Sequence, residues 1–153
     1  MIKKPDTATR PVRGIPFTRF VGDLDRKKVM LVTNAGIAPR FKSFSEPKEG
    51  YYIYSKDVQI EELHIPKRHF GTEDIGSDFN CLFPIDRLRE LEQEGFIKEP
   101  TDEHISVFGF HLVMRHMRKV VAPHIAEIVE ASDAGAAVIL GGCLMEEVVM
   151  LEC

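Results

Sequence analysis

A cysteine that follows two glycines is the natural candidate for a nucleophile in this sequence. Cys143 comes after Gly141 and Gly142, and these follow the apolar residues 136–140, AAVIL. This order is typical of a strand that turns into a helix, where backbone N–H groups and the helix dipole lower the pKa of a thiol. Cys143 is therefore a candidate nucleophile. The alternative interpretation is a small buried residue in a tight turn, since unpaired cysteines are usually packed.

Polar residues that could bind a substrate or move a proton lie between residues 69 and 80. They are His69, Thr72, Asp74 and Asn80. Histidine titrates in the range needed for proton transfer, and the other side chains offer hydrogen-bonding groups. Loops rich in Asp, Gly and Thr also form ordinary turns and helix starts, so both interpretations stay open.

The sequence predicts no metal site. The pairs His64/His69 and His111/His116 are each five residues apart, which does not place both rings on one helical face.

The helix predicted over residues 84–94 has the clearest local signals. Pro84 suits a first helical position, where a backbone N–H is dispensable, and Gly95 suits a left-handed stop. The apolar stripe consists of Ile85, Leu88 and Leu91. Cys81, just upstream, is expected to be a packed small residue.

Three apolar runs predict strands at residues 28–33, 104–110 and 136–140. Positions 29–32 and 137–140 are apolar at successive residues, which predicts burial on both faces. Weaker strands are predicted at residues 51–54 and 62–65. Helices are predicted over residues 112–131, with a kink or restart at Pro123, and over residues 144–153.

Strands that alternate with helices predict an α/β fold, with three layers and a mainly parallel sheet between flanking helices. In such sheets ligands bind outside the carboxyl ends of the strands. Asn34 follows the first strand and the turn at Gly141 follows the third. Asn34 is therefore a further candidate for substrate binding.

Length and composition fit one globular unit of 153 residues. We expect residues 1–15 to be a flexible arm and residues 16–153 to be a single α/β domain. The net charge of −4 argues against nucleic-acid or membrane partners. No apolar run reaches the roughly 20 residues of a membrane span, and no secretory signal opens the chain. A cytoplasmic location is expected.

Three stretches resemble one protein family. Residues 80–91, NCLFPIDRLREL, with residues 94–98, EGFIK, look like the central block of the glycine/sarcosine/betaine/D-proline reductase selenoprotein B family, nearest to its D-proline reductase members. Residues 32–37, VTNAGI, are similar to the first strand and turn of that family. Residues 69–72, HFGT, and the acidic residues after them resemble its histidine- and aspartate-rich loop.

The resemblance implies a subunit of an amino-acid reductase complex that cleaves a C–N bond in a small amino acid or amine. It implies that the polar loop of His69, Thr72, Asp74 and Asn80 lines the substrate pocket. It also implies that this chain holds no cofactor of its own, because a pyruvoyl group on a partner subunit supplies the electrophile. The resemblance is also compatible with a homo-oligomer of this chain.

The sequence departs from the family at the positions that carry the chemistry. Family members have selenocysteine or cysteine in a U-x-x-C arrangement after the last predicted strand, whereas Cys143 falls about one position early and Glu146 stands in place of the second cysteine. Lys67 stands where histidine is common, and Gly71 replaces an expected aspartate. The rest of the family's carboxyl-terminal part is missing, so the domain is expected to be incomplete.

Two functions remain open at this point. One is a catalytic subunit with Cys143 as nucleophile. The other is a truncated paralogue that binds a partner or ligand without turnover.

Overall fold

The computed structural model describes residues 19–40, 49–65, 78–108 and 114–141. The predicted arm, most of the polar loop and the predicted helix over residues 144–153 lie outside these ranges. Within them the chain forms a mixed sheet with helices on both faces. No helix in the described part is both long and apolar enough to cross a membrane.

The main sheet is built around β1 (Lys28–Thr33), which pairs along both of its edges. On one edge lie β5 (Glu99–Pro100) and β6 (Glu103–Val107), which pair in parallel with successive parts of β1. On the other edge β7 (Ala134–Leu140) runs parallel along the whole of β1. The prediction of a mainly parallel sheet is confirmed.

One antiparallel strand completes the main sheet. β3 (Tyr51–Ser55) pairs with the outer edge of β6. A separate two-stranded sheet is formed by β2 (Ala38–Pro39) and β4 (Leu63–His64), which are antiparallel. The strand predicted over residues 62–65 is therefore real but lies outside the main sheet, because Pro39 limits the ladder and leaves only a short pairing.

The two faces of the sheet are covered by two different helices, which gives the predicted three layers. α1 (Ile85–Gln93) packs with Val29 and Leu31, which point to one face. α2 (Ala122–Ala131) packs with Met30 and Val32, which point to the other. Because side chains of a strand alternate between faces, the continuous apolar run of β1 supplies both cores.

α1 begins and ends through local hydrogen bonds. At its start the Oδ1 atom of Asn80 accepts the backbone N–H of Asp86 at 3.3 Å. At its end Gly95, with φ of 69°, and Phe96 donate to carbonyls of the last turn, which is the Schellman arrangement. Pro84 stands just before the helix and not at its first position. Ile85 and Leu88 are buried as predicted, whereas Leu91 is half-buried.

The helix that leads to β7 changes its form before Pro123. An α-helical turn at Met114–His116 is followed by a π-helical turn at Met117–Val121, and α2 restarts at Ala122. Proline cannot donate to the preceding turn, and a π turn is one way for a helix to accommodate that loss. The restart predicted at Pro123 is confirmed.

Two burial predictions are wrong. Residues 137–140 form a strand, but Val138 is 40% and Ile139 is 44% exposed. Among the described residues β7 pairs only with β1, so its outer edge and much of its faces have no neighbour. Cys81 is exposed and not packed, because the turn before α1 projects it outward. An apolar sequence shows which residues can be buried. It does not show whether a neighbouring strand or helix is present to cover them.

A buried histidine joins the strands where the ladder between β1 and its neighbours is interrupted. His104 is fully buried, and its Nδ1 accepts the backbone N–H of Leu31 at 3.0 Å. Its Nε2 has no hydrogen-bond partner among the described residues, and its ring contacts Phe83 edge to face. Burial, with the positive charges of Arg89 and Lys56, lowers the pKa of His104 from 6.5 to about 4.

This histidine should make the protein less stable in acid. The neutral ring is favoured in the folded state, so His104 contributes its full stability above pH 6.5 and loses it as the pH falls toward 4. Over that interval the free energy of unfolding should fall by up to about 3 kcal/mol relative to a His104→Gln variant. Urea denaturation of both proteins at pH 7 and pH 4.5 measures this. Equal losses in the two proteins would contradict the assignment.

Candidate functional site

The candidate site is the edge of the sheet where β1, β6 and β7 have their carboxyl ends. The loop over residues 34–37 crosses this edge and hydrogen-bonds to both neighbours of β1. Asn34 N–H donates to the Leu140 carbonyl at 3.1 Å, and Gly36 N–H donates to the Val107 carbonyl at 3.0 Å. Gly36 has φ of 62°, a conformation that other residues rarely adopt. The loop is therefore held by backbone bonds on two sides.

Buried polar side chains also hydrogen-bond to the loop over residues 34–37. Ser106 Oγ accepts the N–H of Ile37 at 2.9 Å, and Thr33 Oγ1 accepts the N–H of Ala35 at 3.2 Å. The hydroxyl of Tyr54 donates to the Ile37 carbonyl at 2.9 Å. Since these groups are buried, each bond satisfies a loop group that water cannot reach. The loop is a preorganised element of the site.

Asn34 is the predicted site residue that the structure places at this edge. Its side chain is fully buried, and its backbone is tied to the last residue of β7. The chain after β7 therefore leaves the sheet next to Asn34. A buried amide holds its donor and its acceptor in fixed positions. Its role in substrate binding remains a prediction.

Asn80 forms the hydrogen bonds that begin α1. Besides accepting from Asp86, its Nδ2 donates to Asp78 Oδ1 at 3.1 Å, and its N–H donates to the same oxygen at 2.9 Å. The N–H of Asn80, then its side-chain amide and the charge of Arg87, lower the pKa of Asp78. These are the bonds of a turn that begins a helix, which is the alternative interpretation of this loop.

The start of α1 is connected to the loop over residues 34–37 through aromatic rings. Phe83 contacts Tyr54 with 6.0 Å between ring centroids, and Tyr54 in turn holds the Ile37 carbonyl. After α1 the chain returns to the amino end of the sheet, where Lys98 N–H donates to the Lys27 carbonyl. The amino end of α1, and Asn80 with it, therefore points toward the carboxyl edge.

The other predicted site residues, His69, Thr72, Asp74 and Cys143, lie outside the described residues. Their roles remain predictions. Within the described ranges no group of three or more His, Cys, Asp or Glu side chains could hold a metal ion.

The sequence did not identify a tyrosine and histidine pair near this edge. Tyr51 begins β3 and pairs with Val107, and its hydroxyl lies 3.5 Å from Nδ1 of His124 on α2. The rings are perpendicular with centroids 5.7 Å apart. Burial and the charge of Glu49 raise the pKa of Tyr51, so its proton is retained. No spacing in the sequence could have shown this pair, because its members are brought together by the sheet and the helix.

Comparison with known proteins identifies one family and several relatives. The family model described as glycine/sarcosine/betaine reductase selenoprotein B matches residues 6–142. D-proline reductase subunit gamma of Acetoanaerobium sticklandii is 26% identical over 88% of this chain and 55% of its own length. The glycine reductase complex component B subunit gamma of Symbiobacterium thermophilum is 31% identical over 82% of this chain and 30% of its own.

A third relative is the sarcosine reductase complex component B subunit beta of Peptoclostridium acidaminophilum, which is 24% identical over 88% of this chain and 34% of its own length. This chain thus spans about half or less of the length of these curated relatives. No solved structure matches it significantly.

The buried bond from Ser106 should matter far more than a similar exposed one. Ser106→Ala leaves the N–H of Ile37 without an acceptor, which should lower the free energy of unfolding by about 1–3 kcal/mol. Ser55→Ala is the matched control, since Ser55 Oγ accepts the N–H of Asp57 at 3.2 Å in an exposed turn. Ser55→Ala should lower the free energy of unfolding by only a few tenths of a kcal/mol. Chemical denaturation compares the two, and similar losses would show that the loop is not held as described.

Proposed function

This chain belongs to the glycine/sarcosine/betaine reductase selenoprotein B family, and on that premise we propose that it is a subunit of an amino-acid reductase complex. The reaction would be the reductive cleavage of a C–N bond in a small amino acid or amine, in the cytoplasm. Relatives named as components of glycine, sarcosine and D-proline reductases support a role within such a complex.

The observation that carries the proposal is the hydrogen bond from Asn34 N–H to the Leu140 carbonyl. It joins the preorganised loop of β1 to the end of the strand that precedes Cys143. Only Gly141 and Gly142 separate that strand from the thiol. Three residue steps separate Leu140 from Cys143 and span at most about 11 Å, which supports a position of the thiol close to the loop.

In this proposal Cys143 is the nucleophile. Its thiolate would attack the α-carbon of the substrate and form a C–S bond, while the electrons of the C–N bond pass to nitrogen, which takes up a proton and leaves as the amine. A second thiol would then attack the sulfur, so that the carbon takes the C–S electron pair and a proton and the two sulfurs are oxidised to a disulfide. Because Glu146 replaces the family's second cysteine, a partner would supply that thiol and a dithiol reductant would reduce the disulfide.

His69 is the candidate donor of the proton that the amine takes up. Asn34, Thr72, Asp74 and Asn80 would hold the polar groups of the substrate. The electrophile that engages the substrate amine would come from a pyruvoyl group of a partner subunit.

A second function has specific support from one residue. Glu146 stands where the family has its second cysteine. A carboxylate near Cys143 would disfavour the thiolate, since like charges repel. The alternative is a non-catalytic paralogue that keeps the fold and binds a partner subunit or a small ligand.

The reactivity of Cys143 separates the two functions. Because Cys81 is exposed and would itself react, the measurement uses a Cys81→Ser background. A catalytic Cys143 should be alkylated by iodoacetamide at pH 7 at least ten times faster than Cys153, since only a thiolate reacts readily. Peptide mass spectrometry over time gives both rates.

Activity provides the second measurement. Cys143→Ala should abolish reductase activity in complexes reconstituted with a pyruvoyl-bearing partner, whereas Cys153→Ala should retain it. A Cys143 that reacts no faster than Cys153, together with unchanged turnover in Cys143→Ala, would rule out catalysis by this thiol and favour the paralogue.

A further inference from the structure

The backbone N–H groups of residues 34–37 all have acceptors within the protein. Two of them donate to strand carbonyls, at 3.1 Å and 3.0 Å, and two donate to buried hydroxyl oxygens, at 3.2 Å and 2.9 Å. An N–H group carries one proton and donates one good hydrogen bond, so none of the four can bind a ligand without losing its present acceptor. The loop at the carboxyl edge therefore offers no backbone donor to a ligand.

The carbonyl groups of the same loop differ from its N–H groups. The Ile37 carbonyl accepts the hydroxyl of Tyr54 at 2.9 Å. The carbonyls of Ala35 and Gly36 accept from no donor in the described part of the chain. Both residues are buried, and Ala35 is only 3% exposed. Because buried carbonyls nearly always have a donor, these two indicate a partner that is not among the described residues.

We propose that the carbonyls of Ala35 and Gly36 bind the protonated amine of the substrate. This assignment rests on the proposed function, which supplies the class of ligand, a small amino acid or amine. It adds which end of that ligand the loop contacts. It also makes the loop selective for ligands that carry N–H groups.

The direction of the two carbonyls is fixed by the anchored N–H groups beside them. In a trans peptide unit the carbonyl points opposite to the N–H, and no peptide bond of the described chain is cis. The unit that contains the Ala35 carbonyl has its N–H bonded to the Val107 carbonyl, and the next unit has its N–H bonded to Ser106 Oγ. Val107 and Ser106 both belong to β6. Both carbonyls therefore point away from β6 and cannot rotate without breaking a bond.

An ammonium group has the chemistry that two fixed acceptors require. A secondary ammonium carries two N–H groups, one for each carbonyl, and bonds from a charged donor are roughly twice as strong as neutral ones. A carboxylate has only acceptor oxygens, so carbonyl oxygens repel it. A quaternary ammonium has the charge but no N–H to donate. The loop should therefore rank these three kinds of ligand in that chemical order, with the N–H donor far ahead.

Carbonyl carbon-13 shifts of the folded full chain test the assignment. An HNCO spectrum detects the Ala35 carbonyl through the N–H of Gly36 and the Gly36 carbonyl through the N–H of Ile37. The probe is pyrrolidinium chloride, a secondary ammonium without a carboxylate. The comparison ligands are sodium acetate, N,N-dimethylpyrrolidinium chloride and potassium chloride. They supply a carboxylate, a cation without N–H, and a metal cation.

We expect pyrrolidinium to shift both carbonyl signals until saturation. The dimethyl derivative should bind at least about tenfold more weakly, since a site that hydrogen-bonds an N–H rejects an analogue that lacks it. Acetate should leave both signals unchanged. Equal affinity for the dimethyl derivative, a saturating shift with acetate, or an equal response to potassium chloride would overturn the assignment. Signals that respond to none of the four salts would also overturn it, with bound water as the partner of the carbonyls.

A pair of matched variants places the ligand at this loop. Thr33→Val keeps the shape of the side chain but removes the acceptor of the Ala35 N–H, which leaves a donor beside the two carbonyls. It should weaken pyrrolidinium binding by about threefold or more. Thr101→Val is the control, because Thr101 is equally buried at the amino end of β1 and donates to the Glu103 carbonyl at 2.7 Å. Equal losses of affinity in the two variants would contradict binding at residues 35 and 36.

The titration separates this assignment from the proposed function. It needs neither a partner subunit nor the thiol of Cys143, so a chain without reductase activity can still show the expected shifts. Conversely, a reconstituted complex with full activity, whose Ala35 and Gly36 signals respond to acetate and not to pyrrolidinium, would keep the proposed function and overturn the amine assignment.

Discussion

β1 hydrogen-bonds along both of its edges, and the rest of the described structure depends on that double pairing. Each backbone group of a central strand must find a partner, because β1 is buried on both faces. β5 and β6 satisfy one edge and β7 the other. Where β5 gives way to β6, the ladder is completed by a side chain, His104, in place of a backbone carbonyl. The sheet therefore tolerates a break without leaving an unpaired N–H at Leu31.

The two ends of the sheet are stabilised by different physical means. At the amino end Lys28 lies 2.6 Å from Asp133 and 3.3 Å from Glu99, and Lys56 lies 2.9 Å from Asp102. These pairs are at the surface and are screened by salt, so they contribute little individually. At the carboxyl end the bonds are neutral and buried, as with Ser106 and Tyr54. The polar groups at the carboxyl end are therefore fixed in position, whereas those at the amino end are exposed to water.

The outer edge of β7 has no neighbour among the described residues. A strand without charged or proline residues on such an edge is prone to further pairing. Val138 and Ile139 on β7 would lose exposed apolar surface if another strand or helix packed at this edge.

The sequence by itself determined the features whose signals are local. α1 is found within one residue of its predicted bounds, because its start, its stripe and the stop at Gly95 lie within one short stretch. β1 was also predictable, because a run of apolar residues favours a buried strand. The restart at Pro123 was predictable because proline has no N–H to donate to the preceding turn of the helix. The position of Asn34 at a carboxyl end followed from the order of strands and helices.

Only the tertiary structure decided the features that depend on distant partners. Successive apolar residues predicted burial for β7, yet its exposure is set by the absence of a strand beside it among the described residues. Nothing near His104 in sequence indicates that it accepts a hydrogen bond from Leu31, which is 73 residues away. The pairing of Tyr51 with His124 likewise arises from the meeting of a strand and a helix. Local patterns fix which conformation a segment favours, whereas burial and polar partners are properties of the assembled layers.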